Sequence, residues 1–291
     1  MTTSATGAGE TGVAGTTAAR PARRPRRPGS DRLTGGAGLG LGVGVLWLSL
    51  IVVLPIAAIV AKSTGAGADG FWREVTTSEA RSALFLSVGA ALTATVVNAV
   101  VGTLVAWVLV RDRFWGKRLV EVLIDIPFAL PTIVAGLVLI SLYGSHSPLG
   151  VNLVGSRQGV LLALLFVTLP FVVRSVQPIL MDLERDVEEA AASLGASGLT
   201  IFRRIVLPTI APAVLAGSAL AFARALGEYG SVVLISGNLS GRTEVSSVYI
   251  LKRIEEGDQS AAAAVATLLL VVAIAVLFLL DTLQRLAARR G

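Results

Sequence analysis

The chain has no cysteine and a single histidine, His146, among 291 residues. A disulfide framework and thiolate metal sites are therefore excluded, and imidazole-based metal or triad chemistry has one residue to work with. Charge is scarce as well. Asp, Glu, Lys and Arg make up 15% of the residues against 54% apolar, and mean hydropathy is +0.76. A soluble domain of this length does not show that balance. The sequence contains no Gly-x-x-x-x-Gly-Lys-Ser/Thr phosphate loop, so it carries no seat for nucleotide hydrolysis.

What is present is a set of long apolar stretches. A helix needs ~20 predominantly apolar residues to cross a hydrocarbon core. Six segments reach that length: 39–61, 84–110, 119–143, 158–180, 207–236 and 260–283. The second and fifth are long enough to tilt. The expected fold is all-α and polytopic, with one transmembrane domain over 39–285. Before it, residues 1–38 are rich in Ala, Gly, Thr, Pro and Arg, cannot bury enough apolar surface to fold, and read as a disordered basic tail. The apolar run after Arg26-Arg27 exceeds a signal h-region, so it is read as a first spanning helix and not as an export signal.

Net charge is +6, with a pI near 10.4. In a polytopic protein such an excess reports topology rather than nucleic acid. With the amino terminus inside, sixteen Lys and Arg fall on the cytoplasmic side and seven on the other. Both termini, including the basic stretch 286–291, are thus expected in the cytoplasm, together with the polar loop 181–206. The external loops 62–83 and 237–259 are large enough to meet a partner outside.

Within the cytoplasmic loop, Val187, Ala190, Ala191 and Leu194 fall at i, i+3, i+4 and i+7, which predicts a short amphipathic helix. Gly195 suits its C-terminus, because a residue without Cβ takes the left-handed conformation. Pro208 suits the first turn of the next helix. Such a helix can dock on a partner and pass on a rigid-body movement. Glu189-Ala190-Ala191, three residues, Gly195, nine residues, then Ile205-x-Leu207-Pro208 resembles the coupling-loop signature of ABC importer permeases at every place. The resemblance implies the type I importer permease fold in the cell membrane. It also implies a loop that docks on separate ATPase subunits, which use ATP and Mg, while this chain binds no cofactor or metal of its own.

Arg224 lies about midway along the fifth segment, with Glu228 one turn later. An arginine at that depth costs about 2.5–3.5 kcal/mol and needs a partner, which the i, i+4 spacing supplies. Gly227 and Gly230 permit a close neighbour or a local break beside the pair. Two roles compete: Arg224 offers positive potential to a crossing anion, or the pair pins helices together. Pro127 and Pro131 should kink or interrupt the third segment, and interrupted helices in transporters often line the path. A purely architectural kink fits equally. Tyr229 completes the candidate path set of Arg224, Gly227, Glu228, Tyr229, Gly230, Pro127 and Pro131.

Pro-Phe-Ala-Leu-Pro-Thr-Ile-Val-Ala-Gly (127–136), Ala-Arg-Ala-Leu-Gly-Glu-Tyr-Gly-Ser-Val (223–232), Ile-Ser-Gly-Asn (235–238) and Ile-Glu-Glu-Gly-Asp (254–258) are similar to the sulfate/thiosulfate branch of these permeases. The Gly-Glu-aromatic-Gly element is shared with molybdate and tungstate permeases, which remain the alternative. The branch implies a second, related permease subunit and an external sulfate-binding protein as partners, with lipid around them. An integral-membrane enzyme is the rival of another class. Such an enzyme needs paired intramembrane acids, a His pair or a nucleophile with its base, whereas here Asp125 and Glu228 lie on different segments and His146 stands alone.

Overall fold

The computed structural model describes residues 35–65 and 67–289. Every regular element among them is helical. The tail expected over 1–38 lies outside the described residues as far as 34. The first helix, α1 (Gly35–Leu48), starts a few residues earlier than the apolar run indicated. Arg290 and Gly291 are also outside.

The chain divides into two compact units between Val52 and Val53. The first holds α1, whose Leu46, Trp47 and Leu48 are exposed. The second holds α2 (Leu54–Ser63), α3 (Gly67–Val75), α4 (Ser78–Arg111), α5 (Lys117–Ala129), α6 (Thr132–Tyr143), α7 (Arg157–Asp182), α8 (Arg185–Ser193), α9 (Gly198–Ile201), α10 (Leu207–Leu226), α11 (Gly230–Ile235), α12 (Ser246–Glu255) and α13 (Gln259–Ala288).

Five helices among the described residues are long and apolar enough to cross a membrane: Gly40–Ser63, Ser78–Arg111, Arg157–Asp182, Gly198–Leu226 and Gln259–Ala288. The third expected span, 119–143, is divided. Pro131 forces Leu130 into an extended conformation (φ −85°, ψ 135°), so α5 ends at Ala129 and α6 restarts at Thr132. Pro127 lies inside α5 and does not end it. The fifth span also stops short of residue 236. It ends at Leu226, with Gly227 as its cap and a new short helix from Gly230.

Two widened helical turns, Ser49–Val53 and Phe202–Val206, were not foreseen. Each precedes a proline, Pro55 and Pro208. A proline ring crowds the carbonyl four residues back, and a turn with i→i+5 bonding relieves that clash. At the second, the Leu207 N–H reaches the Phe202 carbonyl.

Packing follows the rules of a membrane interior. Ala83, Ala91, Ala94, Ala106 and Ala163 are buried at helix contacts, and Gly102 and Gly217 both meet Val172. Large side chains such as Phe85, Leu104, Ile274 and Phe278 point outward. Without a hydrophobic drive between helices in lipid, small residues let backbones approach and polar groups add adhesion. Asn98 supplies that adhesion, donating to Leu165 O at 3.0 Å and to Thr168 Oγ1 at 2.9 Å across α4 and α7.

The ends of the bundle are distinct. Arg111 donates to Leu183 O at 3.2 Å, so α4 and α7 finish together beside α8. At the other end Lys62 meets Gln259, and Arg157 Nε donates to Arg242 O at 3.0 Å. The loop 237–259 folds partly back into the bundle there. The Ser246 N–H donates to Ser87 Oγ at 2.7 Å, and Tyr249 is buried among Val75, Ala80, Leu84 and Val265.

Candidate functional site

Two places gather the candidate residues: a loop at one end of the bundle, and a recess between two broken helices.

In the loop, α8 carries Glu189, Ala190 and Ala191. Its C-terminus closes as a Schellman turn. Gly195 N–H donates to Ala192 O at 2.9 Å, Ala196 N–H donates to Ala191 O at 3.1 Å, and Gly195 takes φ +86°. Nothing lies within 4 Å of where a Gly195 Cβ would stand, so conformation and not space demands the glycine. Ser197 Oγ then accepts the Thr200 N–H and starts α9. Ile205 lies in the widened turn, with Leu207 and Pro208 directly after it.

Of the apolar stripe, Ala191 packs inward, while Val187, Ala190 and Leu194 are exposed, Leu194 to 89%. Leu199 is exposed nearby, so the loop presents an uncovered apolar face. Glu189 is exposed, whereas its neighbour Glu188 pairs with Arg111 at the end of α4. Arg185 Nη2 donates to Arg111 O at 2.7 Å, and the Arg111 guanidinium stands 5.7 Å from the Trp107 ring centroid. Arg111 counted only toward topology in the sequence, because its partner is 77 residues away.

The second place is a recess of about 370 Å³ lined by Pro131, Thr132, Ile133, Arg224, Gly227, Glu228, Tyr229 and Gly230. It unites every candidate path residue except Pro127. The two breaks meet because they lack side-chain bulk. A Cβ on Gly230 would stand 2.9 Å from Ile133 N and closer still to Thr132 Oγ1, and one on Gly136 would stand 2.8 Å from Ser231 O.

Arg224 Nη1 and Glu228 Oε2 are 2.5 Å apart. Glu228 follows the end of α10, so the pair spans a helix terminus instead of lying along one helix face. The two side chains differ in surroundings: Glu228 is 1% exposed and Arg224 33%. Glu228 Oε1 accepts both the N–H and the hydroxyl of Ser231 at 2.8 Å, which caps α11. Ser247 Oγ donates to the Glu228 carbonyl at 2.8 Å. Glu228 is thus fixed in place, while Arg224 faces the open recess beside the uncapped amino end of α6. A guanidinium and the amino end of a helix around one cavity suit an oxyanion.

The family model described as "Binding-protein-dependent transport system inner membrane component" matches residues 98–290. The chain belongs to this family. As an inner-membrane component it is a multi-pass membrane protein, and the enzyme alternative falls away. It is 45% identical over 251 residues to the sulfate transport system permease protein CysT of Synechocystis sp., covering 84% of this chain and 88% of that protein. It is 41% identical over 268 residues to the CysT of Salmonella typhimurium, covering 90% and 97%. Among solved structures, a bacterial alginate ABC transporter in complex with its periplasmic protein aligns with TM-score 0.72 at 15% identity, over 87% of this chain and 95% of that chain. The MetNI methionine ABC transporter aligns with TM-score 0.55 at 20% identity, over 70% and 96%. These structures share the fold of the described helices.

Proposed function

We propose that this chain is a transmembrane permease subunit of an ATP-driven importer of sulfate and thiosulfate. The identity to sulfate permeases over most of both chains carries the proposal. The recess supports it. Arg224 offers the passing dianion a partly exposed guanidinium in the last turn of α10, where the crossing breaks, and Glu228 holds that guanidinium in position. The same recess suits molybdate by charge, but the relatives named above transport sulfate.

The uncovered face of Val187, Leu194 and Leu199 is the seat for a separate ATPase, which supplies hydrolysis of ATP with Mg. The Arg111–Glu188 pair passes the movement of that seat to α4. A second, related permease completes the channel, and an external binding protein delivers the anion to the end formed by α3, α12 and the start of α13. Both termini and the α8 loop are then cytoplasmic.

The test is uptake of radiolabelled sulfate in cells lacking this gene, with and without its re-expression. Restored uptake that excess thiosulfate blocks and excess molybdate spares supports the assignment. A molybdate-dependent defect with unchanged sulfate uptake overturns it.

A further inference from the structure

Asp125 and Arg174 form a further guanidinium–carboxylate pair, which neither role above employs. Arg174 Nε donates to Asp125 Oδ1 at 2.8 Å, and its Nη2 pairs with Oδ2. Nη1 donates to Gln177 Oε1 at 2.8 Å. This two-point fork is the geometry that a guanidinium also offers to a tetrahedral oxyanion.

Arg174 lies on the spanning helix α7 and Asp125 on the divided crossing, yet they remain 35% and 46% exposed. Charges left half uncovered at such depth are costly against acyl chains. This side of α5 and α7 therefore faces water or another subunit. Its place relative to the recess follows from two separate routes. Asp125 precedes Pro131 by fewer than two turns, roughly 9 Å at 1.5 Å per residue. Arg174 is level with Gly217, which meets Val172 and Ser175. Arg224 lies about two turns beyond Gly217, roughly 10 Å. Both routes set Asp125 and Arg174 about 10 Å along the helix axes from the recess, toward the coupling-loop end.

On the proposal that the chain carries sulfate, we infer that Arg174 is a second oxyanion station on the path, with Asp125 as its exchangeable placeholder. The arriving anion takes the two N–H bonds, and the half-exposed carboxylate turns into water. Glu228 cannot do the same at the first pair, since it would leave the Ser231 N–H and hydroxyl without a partner in a buried site. A competing carboxylate also keeps the anion's stay short, which throughput requires.

The test uses the complete transporter in cells with no other sulfate uptake, and reads initial uptake rate, membrane level and ATPase co-purification. In the double variant Asp125→Asn/Arg174→Gln, two amides can keep the α5–α7 hydrogen bonding while the charge is gone. The expected result is a loss of uptake of about tenfold or more with assembly unchanged, while Asp125→Asn alone lowers the apparent KM for sulfate. Wild-type uptake in the double variant overturns the inference. So does loss of the assembled complex, which makes the pair a structural pin. A wild-type complex that imports no sulfate fails the transport assignment itself, and that is seen before any variant is compared.

Discussion

Gly230, at the start of α11, sits directly on Thr132, at the start of α6, so the breaks in two crossings are held together by a residue without a side chain. Neither break is local in its consequence, because residues of both line the recess.

Gly230→Ala should therefore damage the protein more than its size suggests. The added methyl meets Thr132 Oγ1 and backbone at Ile133, and overpacking of this kind costs about 1–3 kcal/mol. The expected outcome is a lower membrane level and a lower thermal aggregation temperature in detergent. Gly227→Ala is the comparison, because only the Ala223 carbonyl lies within 4 Å, at 3.8 Å, and it should be mild.

At Gly195 the demand is on backbone and not on volume. Gly195→Ala should cost about 1–2 kcal/mol locally by forcing Cβ into the left-handed region, and Gly195→Asn should cost less. Co-purification with the ATPase should order as Gly, Asn, Ala. Equal recovery for all three would contradict the role given to the turn.

Glu188, rather than Glu189, should be the acid whose loss loosens the loop. Glu188→Gln takes the charge from a pair that is mostly covered and leaves Arg111 short of a partner, at about 1–3 kcal/mol. Glu189→Lys changes an exposed side chain, so it should leave the loop's protection from hydrogen exchange intact and reduce only ATPase association. Exchange rates over α8 in the two variants separate these effects.

Asp258 caps α13, accepting the Ala261 N–H at 3.1 Å and the Ser260 hydroxyl at 2.9 Å. Those bonds, led by the Ala261 amide, hold its carboxyl below the usual value of 3.8, against a smaller opposing effect of burial. A depressed folded pKa contributes stability that is complete above the unfolded value and fades as pH falls through the folded one. Asp258→Asn keeps a cap without a titrating group. Its acid-side stability curve should be flatter below about pH 4 than the wild type's, with little difference at pH 7.

How far the sequence could disclose this site depended on chain separation. Pro131 was legible as an interruption because a proline acts on its immediate neighbour, and Gly195 because a helix needs a left-handed closing residue. Arg224 and Glu228 were legible as a pair through their spacing, although the helix between them ends at Leu226. Arg174 drew no attention inside an apolar stretch, since Asp125 lies 49 residues away. The Ser246 to Ser87 bond, across 159 residues, could not be foreseen either, so the packing of α12 back against α4 leaves no mark in the pattern of 237–259. Hydrophobic periodicity carries no trace of the widened turns before Pro55 and Pro208, which answer a clash and not a pattern.

The most direct measurement is sulfate uptake by Arg224→Gln, with membrane level and ATPase co-purification measured on the same cells. The complex should assemble at wild-type level with uptake reduced about tenfold or more, because the recess has lost the only side-chain cation among its described lining residues. Unchanged uptake, or a loss that tracks the loss of assembled complex, would rule out an anion-binding role for Arg224.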